Sequence, residues 1–265
     1  MYSKTTRYIP FSSYSPYENM AIDEYLLSYY ERTSQPVLRI YGWSPVGISV
    51  GKNQEALKDL DLNRCKKDAV PVVRRQTGGG AIYHNNEITY SIVCSEKDLS
   101  CKDLTVKESF EKLNQFIIKM YAKYSLTAAY ARDFQPSGSK FGNPAAFCFA
   151  SNEEYDIVIK GKKIGGNAQS RKKDIIFQHG SVPLQPNPGA MDYFIKKEDN
   201  GNYTDLAALI GRVVDPVEAC ANMIASFTET FFCSLEEMPL KLDEKREVVA
   251  LLTSKYAVNN WNLKQ

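Results

Sequence analysis

Apolar positions recur along this chain with two periods, and the switching between them lays out its elements. Residues 16 to about 30 repeat at helical spacing, with Met20, Leu27 and Tyr30 on the side expected to be buried. The start is marked by Ser15, which can cap, by Pro16 in the first turn, and by Glu18, which completes a capping box. Asp23 and Glu24 on the same helix are expected in solvent. Residues 37–41 and 46–50 read as strands around a turn with Gly42 and Pro45. A short helix near 59–66 follows, then a strand at 70–73, a turn of three glycines, and an alternating strand at 88–93. The spacing of Phe110, Leu113, Ile117, Met120 and Tyr121 predicts a long amphipathic helix over 106–124.

Beyond it, 126–131 reads as a strand and 134–143 as a loop. Residues 154–160 alternate again, with a tight turn at Lys160-Gly161-Lys162. Further strands are expected at 163–168 and 174–182, around a basic loop of Arg171, Lys172 and Lys173. Asp215-Pro216-Val217-Glu218 starts a capped helix to about 232, with Met223, Ile224, Phe227 and Phe231 on one side. A last helix is expected at 242–256. Strands concentrated in the centre, with helices before, within and after them, predict one α+β or mixed α/β domain.

The glycine turn holds the densest candidate chemistry. Arg74-Arg75-Gln76-Thr77-Gly78-Gly79-Gly80 leads through Ala81 to His84. Glycine lets backbone approach a ligand closely, and arginine forks suit a carboxylate or phosphate. The spacing is neither the dinucleotide fingerprint nor a P-loop. A second concentration runs from Cys148 through Lys163 and Gly165-Gly166-Asn167-Ala168-Gln169 to Gln178-His179-Gly180-Ser181. Cys148, between two phenylalanines, reads by default as a small buried hydrophobe; the functional reading is a thiolate, which needs a nearby positive charge, for which Lys163 is the candidate. His84 and His179 read as structural or as proton carriers.

Composition narrows the class. The chain has 265 residues, with 33 Lys+Arg against 31 Asp+Glu, a formal charge of +2. That balance argues against a nucleic-acid wrapper. No apolar run reaches transmembrane length, no export signal is visible, and the six cysteines show no metal spacing. A cytoplasmic protein with reduced thiols, no membrane partner and no metal centre is the expectation.

Taken together, Glu18 to Glu24, Arg74 to His84, and Gly161 to Gln169 through Gln178-His179-Gly180-Ser181 resemble the biotin/lipoate protein ligase (BPL/LPL) superfamily. Cys148-Phe149 ahead of Tyr155-Asp156-Ile157, and then Lys163, most resemble its LipM-type octanoyltransferases. The resemblance implies a single domain over 1–265 with a catalytic core at about 33–235, and a central mixed or antiparallel sheet flanked by helices. It also implies transfer of octanoyl from acyl carrier protein, through a thioester on Cys148, to a lysine of a lipoyl domain. Such acceptors are the glycine-cleavage H protein and the 2-oxoacid dehydrogenase E2. Cys148 and Lys163 are then catalytic. Arg74, Arg75, Thr77, Gly78, Gly79, Gly80, His84, Gly166, Asn167, Ala168, His179 and Gly180 bind substrate, and Arg171 to Lys173 are candidates to steer the acidic carrier. No cofactor is required. The third glycine, Gly80, is more typical of ligases, and Asn85 matches neither group. An ATP- and Mg²⁺-dependent lipoate ligase, in which Cys148 is packing, is therefore the alternative.

Overall fold

A computed structural model of the chain describes residues 5–99, 101, 103–134, 153–197 and 201–264. It opens with a strand, β1 (Thr5–Tyr14), and α1 (Pro16–Thr33) follows from the Ser15–Glu18 capping box. β2 (Val37–Trp43) and β3 (Gly47–Val50) come next. The helix expected near 59–66 is two pieces, α2 (Ala56–Asp59) and α3 (Leu62–Lys67). β4 (Val72–Arg74) and β5 (Ile82–His84) flank the glycine turn, and β6 (Glu87–Ser95) follows. α4 (Val106–Ala122) starts on a second capping box, Thr105 with Glu108. β7 (Ala128–Tyr130), α5 (Ala131–Phe134), β8 (Ile157–Ile159) and β9 (Lys162–Lys163) precede the hairpin β10 (Gly166–Lys172) and β11 (Ile175–Pro183). Last come α6 (Leu206–Ile210), α7 (Pro216–Phe231), β12 (Ser234–Glu237), α8 (Leu242–Leu251) and α9 (Asn259–Asn262). The helix expected over 242–256 keeps α geometry only to Leu251, and Leu252–Tyr256 forms a π-helical turn.

Six strands form the main sheet in the order β10-β11-β6-β2-β1-β12. β12, β1 and β2 run parallel, whereas β2, β6, β11 and β10 pair antiparallel, so the sheet is mixed. Alternation sorts its side chains to two faces. Leu38, Ile40, Ile88, Ile92 and Ile176 pack against Leu113, Phe116 and Ile117 of α4 and Met223 and Phe227 of α7. Val37, Val93 and Phe177 face the other way, against Met20, Ile22, Tyr25 and Leu26 of α1 and Val248 of α8. Burial of those two faces holds the layers together, at roughly 25 cal/mol per Å² of apolar surface. A three-stranded sheet, β4-β3-β5, has its own small core of Ile48, Val50, Val70, Ile82 and Phe194. A second three-stranded sheet is β7-β8-β9.

Several expectations are corrected. β1 and β12 are absent from the sequence reading: β1 contains Pro10 and shifts register between Ile9 and Ser12, which breaks its alternation. The single strand expected at 163–168 divides at Gly165, whose φ is 99°. A Cβ there would stand 2.3 Å from the Ser181 carbonyl oxygen, so only glycine lets the chain pass from β9 into β10 alongside β11. Asp23 is buried, not solvated, because the sheet supplies Arg39 as its partner at 2.7 Å. Of the expected basic loop, only Lys173 stands in the turn, because Arg171 and Lys172 belong to β10. Arg171 lies in β10, donating to the carbonyls of Leu104 and Thr105 and pairing with Glu96, and Lys172 pairs with Glu31.

Candidate active site

Where the β4-β3-β5 sheet meets β9, β10 and β11, a cavity of about 480 Å³ opens. One wall is the glycine turn, with Arg75, Gly78, Gly79 and Gly80. Lys163, Gly166, Asn167 and Ala168 also line the cavity, as do His84, His179, Gly180 and Ser181. Thus eleven sequence-named site residues, distributed from 75 to 180, surround one space.

The turn is shaped by its neighbours. Arg75 lies along the inside of the loop, its Nη2 donating to the carbonyls of Gly78 (2.6 Å) and Gly80 (2.8 Å). Gly79 has φ 91°, and Gly51 passes so close that a Cβ there would stand 2.0 Å from the Gly79 oxygen. Glycine is therefore required at Gly79 by its backbone angle and at Gly51 by packing, whereas Gly78 has open space where a Cβ would go.

Arg74 and Thr77 do not line the cavity. Successive strand residues point to opposite faces, so Arg74 turns away from Arg75. Its guanidinium donates to the carbonyls of Gly51, Gln54, Trp261 and Lys264, which fastens the C-terminal segment. Thr77 is buried behind the turn, with Oγ1 2.7 Å from Nε2 of His179.

Lys163 is 1% exposed, and its Nζ lies 2.6 Å from Oδ2 of Asp156. Asp156 is also buried and also lines the cavity. An ion pair this deep survives because each charge has its partner; removing one would leave the other uncompensated. The hairpin turn at Lys160 and Gly161, both with positive φ, folds Lys163 back beside β8.

Two acid–histidine–hydroxyl chains flank the turn. In the first, His84 Nδ1 is 2.8 Å from Glu87 Oε1, and Nε2 is 2.7 Å from Ser49 Oγ. Trp43 stacks on the His84 ring at 3.7 Å. Glu87 also accepts from Thr89 and Ser181, both at 2.6 Å. In the second, Asp23 accepts from Arg39, Tyr41 and Ser91, and its Oδ2 lies 3.8 Å from His179 Nδ1. Burial pushes the His179 pKa down against the pull of Asp23, so this ring is neutral at neutral pH. Burial raises the Asp23 pKa, but Arg39 and His179 outweigh it and hold the carboxyl below its usual range.

The sequence reading missed Ser49, Glu87 and Asp156. Glu87 stands three residues after His84 across a turn, and Asp156 one hairpin before Lys163, so strand pairing is the signal that could have found them. Cys148 lies outside the described residues. It stands five positions before Glu153, which lines the cavity. None of the five described cysteines is on that lining. Burial pushes the thiols of Cys65 and Cys220 up, to about 11 and about 12, which disfavours their thiolates. Among the described residues, no group of three or more His, Cys, Asp or Glu could hold a metal ion, and no helix is long and apolar enough to cross a membrane.

The lipoyl protein ligase A/B catalytic domain model matches residues 15–229. The chain belongs to this family. It is 31% identical to octanoyltransferase LipM of Anoxybacillus flavithermus, with 100% of each chain covered. It is 33% identical to octanoyltransferase LipM of Bacillus cereus, covering 97% of this chain and 98% of the relative. Lipoate-protein ligase A bound with ATP shares the fold, with a TM-score of 0.82 at 21% identity over 98% of both chains. So does a bi-partite lipoate protein ligase from Thermoplasma acidophilum, described with its E2 lipoyl domain, with a TM-score of 0.78 at 21% identity over 99% of this chain and 97% of that one. These two structures show the fold that the chain shares.

Proposed function

We propose that this enzyme is an octanoyltransferase: it moves octanoyl from octanoyl-acyl carrier protein to a lysine of a lipoyl domain, through a thioester on Cys148. The observation that carries the reading is full-length similarity to proteins named octanoyltransferase. The cavity supports it, being lined by a buried lysine and by the glycines of the turn.

The chain's own groups divide the work. Cys148, as thiolate, attacks the thioester carbonyl, and the carrier's sulfur leaves with the electron pair. The Lys163 ammonium, held by Asp156, sits in the cavity as a fixed positive charge for the developing oxyanion. The glycine turn and Ala168 flank the acyl chain. Exchange between thioesters is nearly isoenergetic, so this step draws on no nucleotide and no metal. The acceptor amine then attacks, and the amide product makes transfer downhill. Acceptors of this class include the glycine-cleavage H protein and 2-oxoacid dehydrogenase E2, and the enzyme works in the cytoplasm.

The test is acceptor modification. Purified enzyme, octanoyl-acyl carrier protein and a lipoyl domain, without ATP or Mg²⁺, should give an octanoylated domain by mass. Modification that requires free octanoate or lipoate with ATP and Mg²⁺, and fails from the carrier thioester, would establish the ligase instead.

A further inference from the structure

The acyl-transfer scheme leaves one proton without a destination. When the acceptor amine attacks the acyl thioester, a C–N bond forms and the nitrogen must lose a proton as the C–S bond breaks. Lys163, as an ammonium, is a donor without a lone pair. His179 lines the cavity, but its Nε2 is engaged by Thr77, which lies behind the turn and off the lining.

The Ser49 chain is built differently. Ser49 and His84 both line the cavity and both are buried. Glu87 holds Nδ1 of His84 at 2.8 Å, which places the ring proton there and leaves Nε2 as acceptor for the Ser49 hydroxyl at 2.7 Å. Arg75 Nη1 stands 3.3 Å from Ser49 Oγ and 3.1 Å from its carbonyl, a cation that stabilises this oxygen as it gives up its proton. Glu87 is in turn fixed by Thr89 and Ser181. An oriented base, a hydroxyl conduit and a nearby cation meet on one wall, which is the logic of acid–histidine–hydroxyl catalysis.

We propose that Ser49 and His84 form the proton relay of the second half-reaction, with Glu87 positioning His84; this rests on the acyl-enzyme reading above. The amine lone pair attacks the carbonyl carbon. Its N–H proton passes to Ser49 Oγ as the Ser49 proton passes to His84 Nε2. The C–S electron pair leaves on the Cys148 sulfur, which is again the thiolate that loading requires, and His84 gives its proton to water. Ser49 is thus a catalytic residue for aminolysis and a bystander to thioester exchange, where no proton is lost.

Loading and discharge can be read separately by intact mass. Enzyme is loaded from octanoyl-acyl carrier protein, then discharged either by a lipoyl domain or by hydroxylamine, an uncharged nucleophile small enough to bring solvent with it. Ser49→Ala and Glu87→Gln should slow discharge to the lipoyl domain by about 100-fold or more, whereas hydroxylamine should discharge them at close to the wild-type rate. Equal slowing with both nucleophiles would assign these residues a structural role and overturn the relay, as would unchanged discharge to the lipoyl domain. Octanoyl appearing on Cys148→Ala, and lost again in Cys148→Ala with Ser49→Ala, would make Ser49 the nucleophile. Absence of any adduct on the wild type would defeat the acyl-enzyme reading, and the relay with it.

Discussion

At Asp23, α1 delivers a carboxylate into the sheet, where Arg39, Tyr41 and Ser91 donate to it. Replacing it by alanine strands a buried guanidinium. Asp23→Ala should therefore lower unfolding free energy by about 3–5 kcal/mol, as for other broken buried pairs, measured by urea denaturation. Glu244 behaves likewise. Burial raises its pKa, but Arg7, Tyr25 and the Lys241 backbone hold it down to about 2. A depressed carboxyl pKa contributes stability that is complete above the unfolded value and is lost as pH falls through the folded one. His179, whose pKa is lowered, takes up its proton more readily when unfolded, so it acts in the same direction below about 6.5. The melting temperature should accordingly fall from pH 7 to 3, and Glu244→Gln should flatten the acid limb below about pH 4.5. A melting temperature that holds or rises on acidification would contradict these assignments. None of these partnerships was legible in the sequence, because Asp23 finds its partners at positions 39, 41, 91 and 179, and a charge without a visible partner reads as solvated. The separation of Arg74 from Arg75 was legible in principle, since strand period alone sends neighbours to opposite faces.

For the elements, the clearest sequence signals were local ones. Ser15 with Glu18 starts α1 as the capping pattern requires, and the apolar stripe of α4 buries Leu113, Ile117, Met120 and Tyr121. Elements whose identity depends on distant pairing were not legible: β1 joins the sheet between β2 and β12, and β12 forms its edge, only through parallel pairing. The glycine turn lies between these cases. Its three glycines mark a turn in sequence, but which of them is constrained depends on Gly51, contributed by another segment. Gly51→Ala drives a Cβ into the Gly79 carbonyl, at 2.0 Å, and should cost about 1–3 kcal/mol by overpacking. Gly78 has open space where its Cβ would go, so Gly78→Ala should change stability by less than about 0.5 kcal/mol. Thermal denaturation of the two variants compares them, and equal losses would show that the turn is not set by the Gly51 approach.

Across the whole molecule, the site depends on a closure that runs from the middle of the chain to its C-terminal segment. Arg74 collects carbonyls at Gly51, Gln54, Trp261 and Lys264, while its own carbonyl accepts from Trp261 Nε1 and its N–H donates to Asn262. Lysine cannot reproduce that fork. Arg74→Lys should destabilise by about 2–4 kcal/mol through lost charge-assisted hydrogen bonds and weaken protection of residues 259–264 in hydrogen exchange; unchanged protection there would remove Arg74 as the fastener. The fold places the glycine turn, the Lys163–Asp156 pair and the His84 chain around one cavity, and the chemistry proposed there is a cysteine acyl-enzyme. Intact mass of the protein mixed with octanoyl-acyl carrier protein, without ATP and beside Cys148→Ala, tests that claim most directly. An octanoyl adduct is expected on the wild type, absent from the variant and removed by a lipoyl domain. No adduct, together with ATP-dependent modification of the lipoyl domain that survives Cys148→Ala, would contradict it.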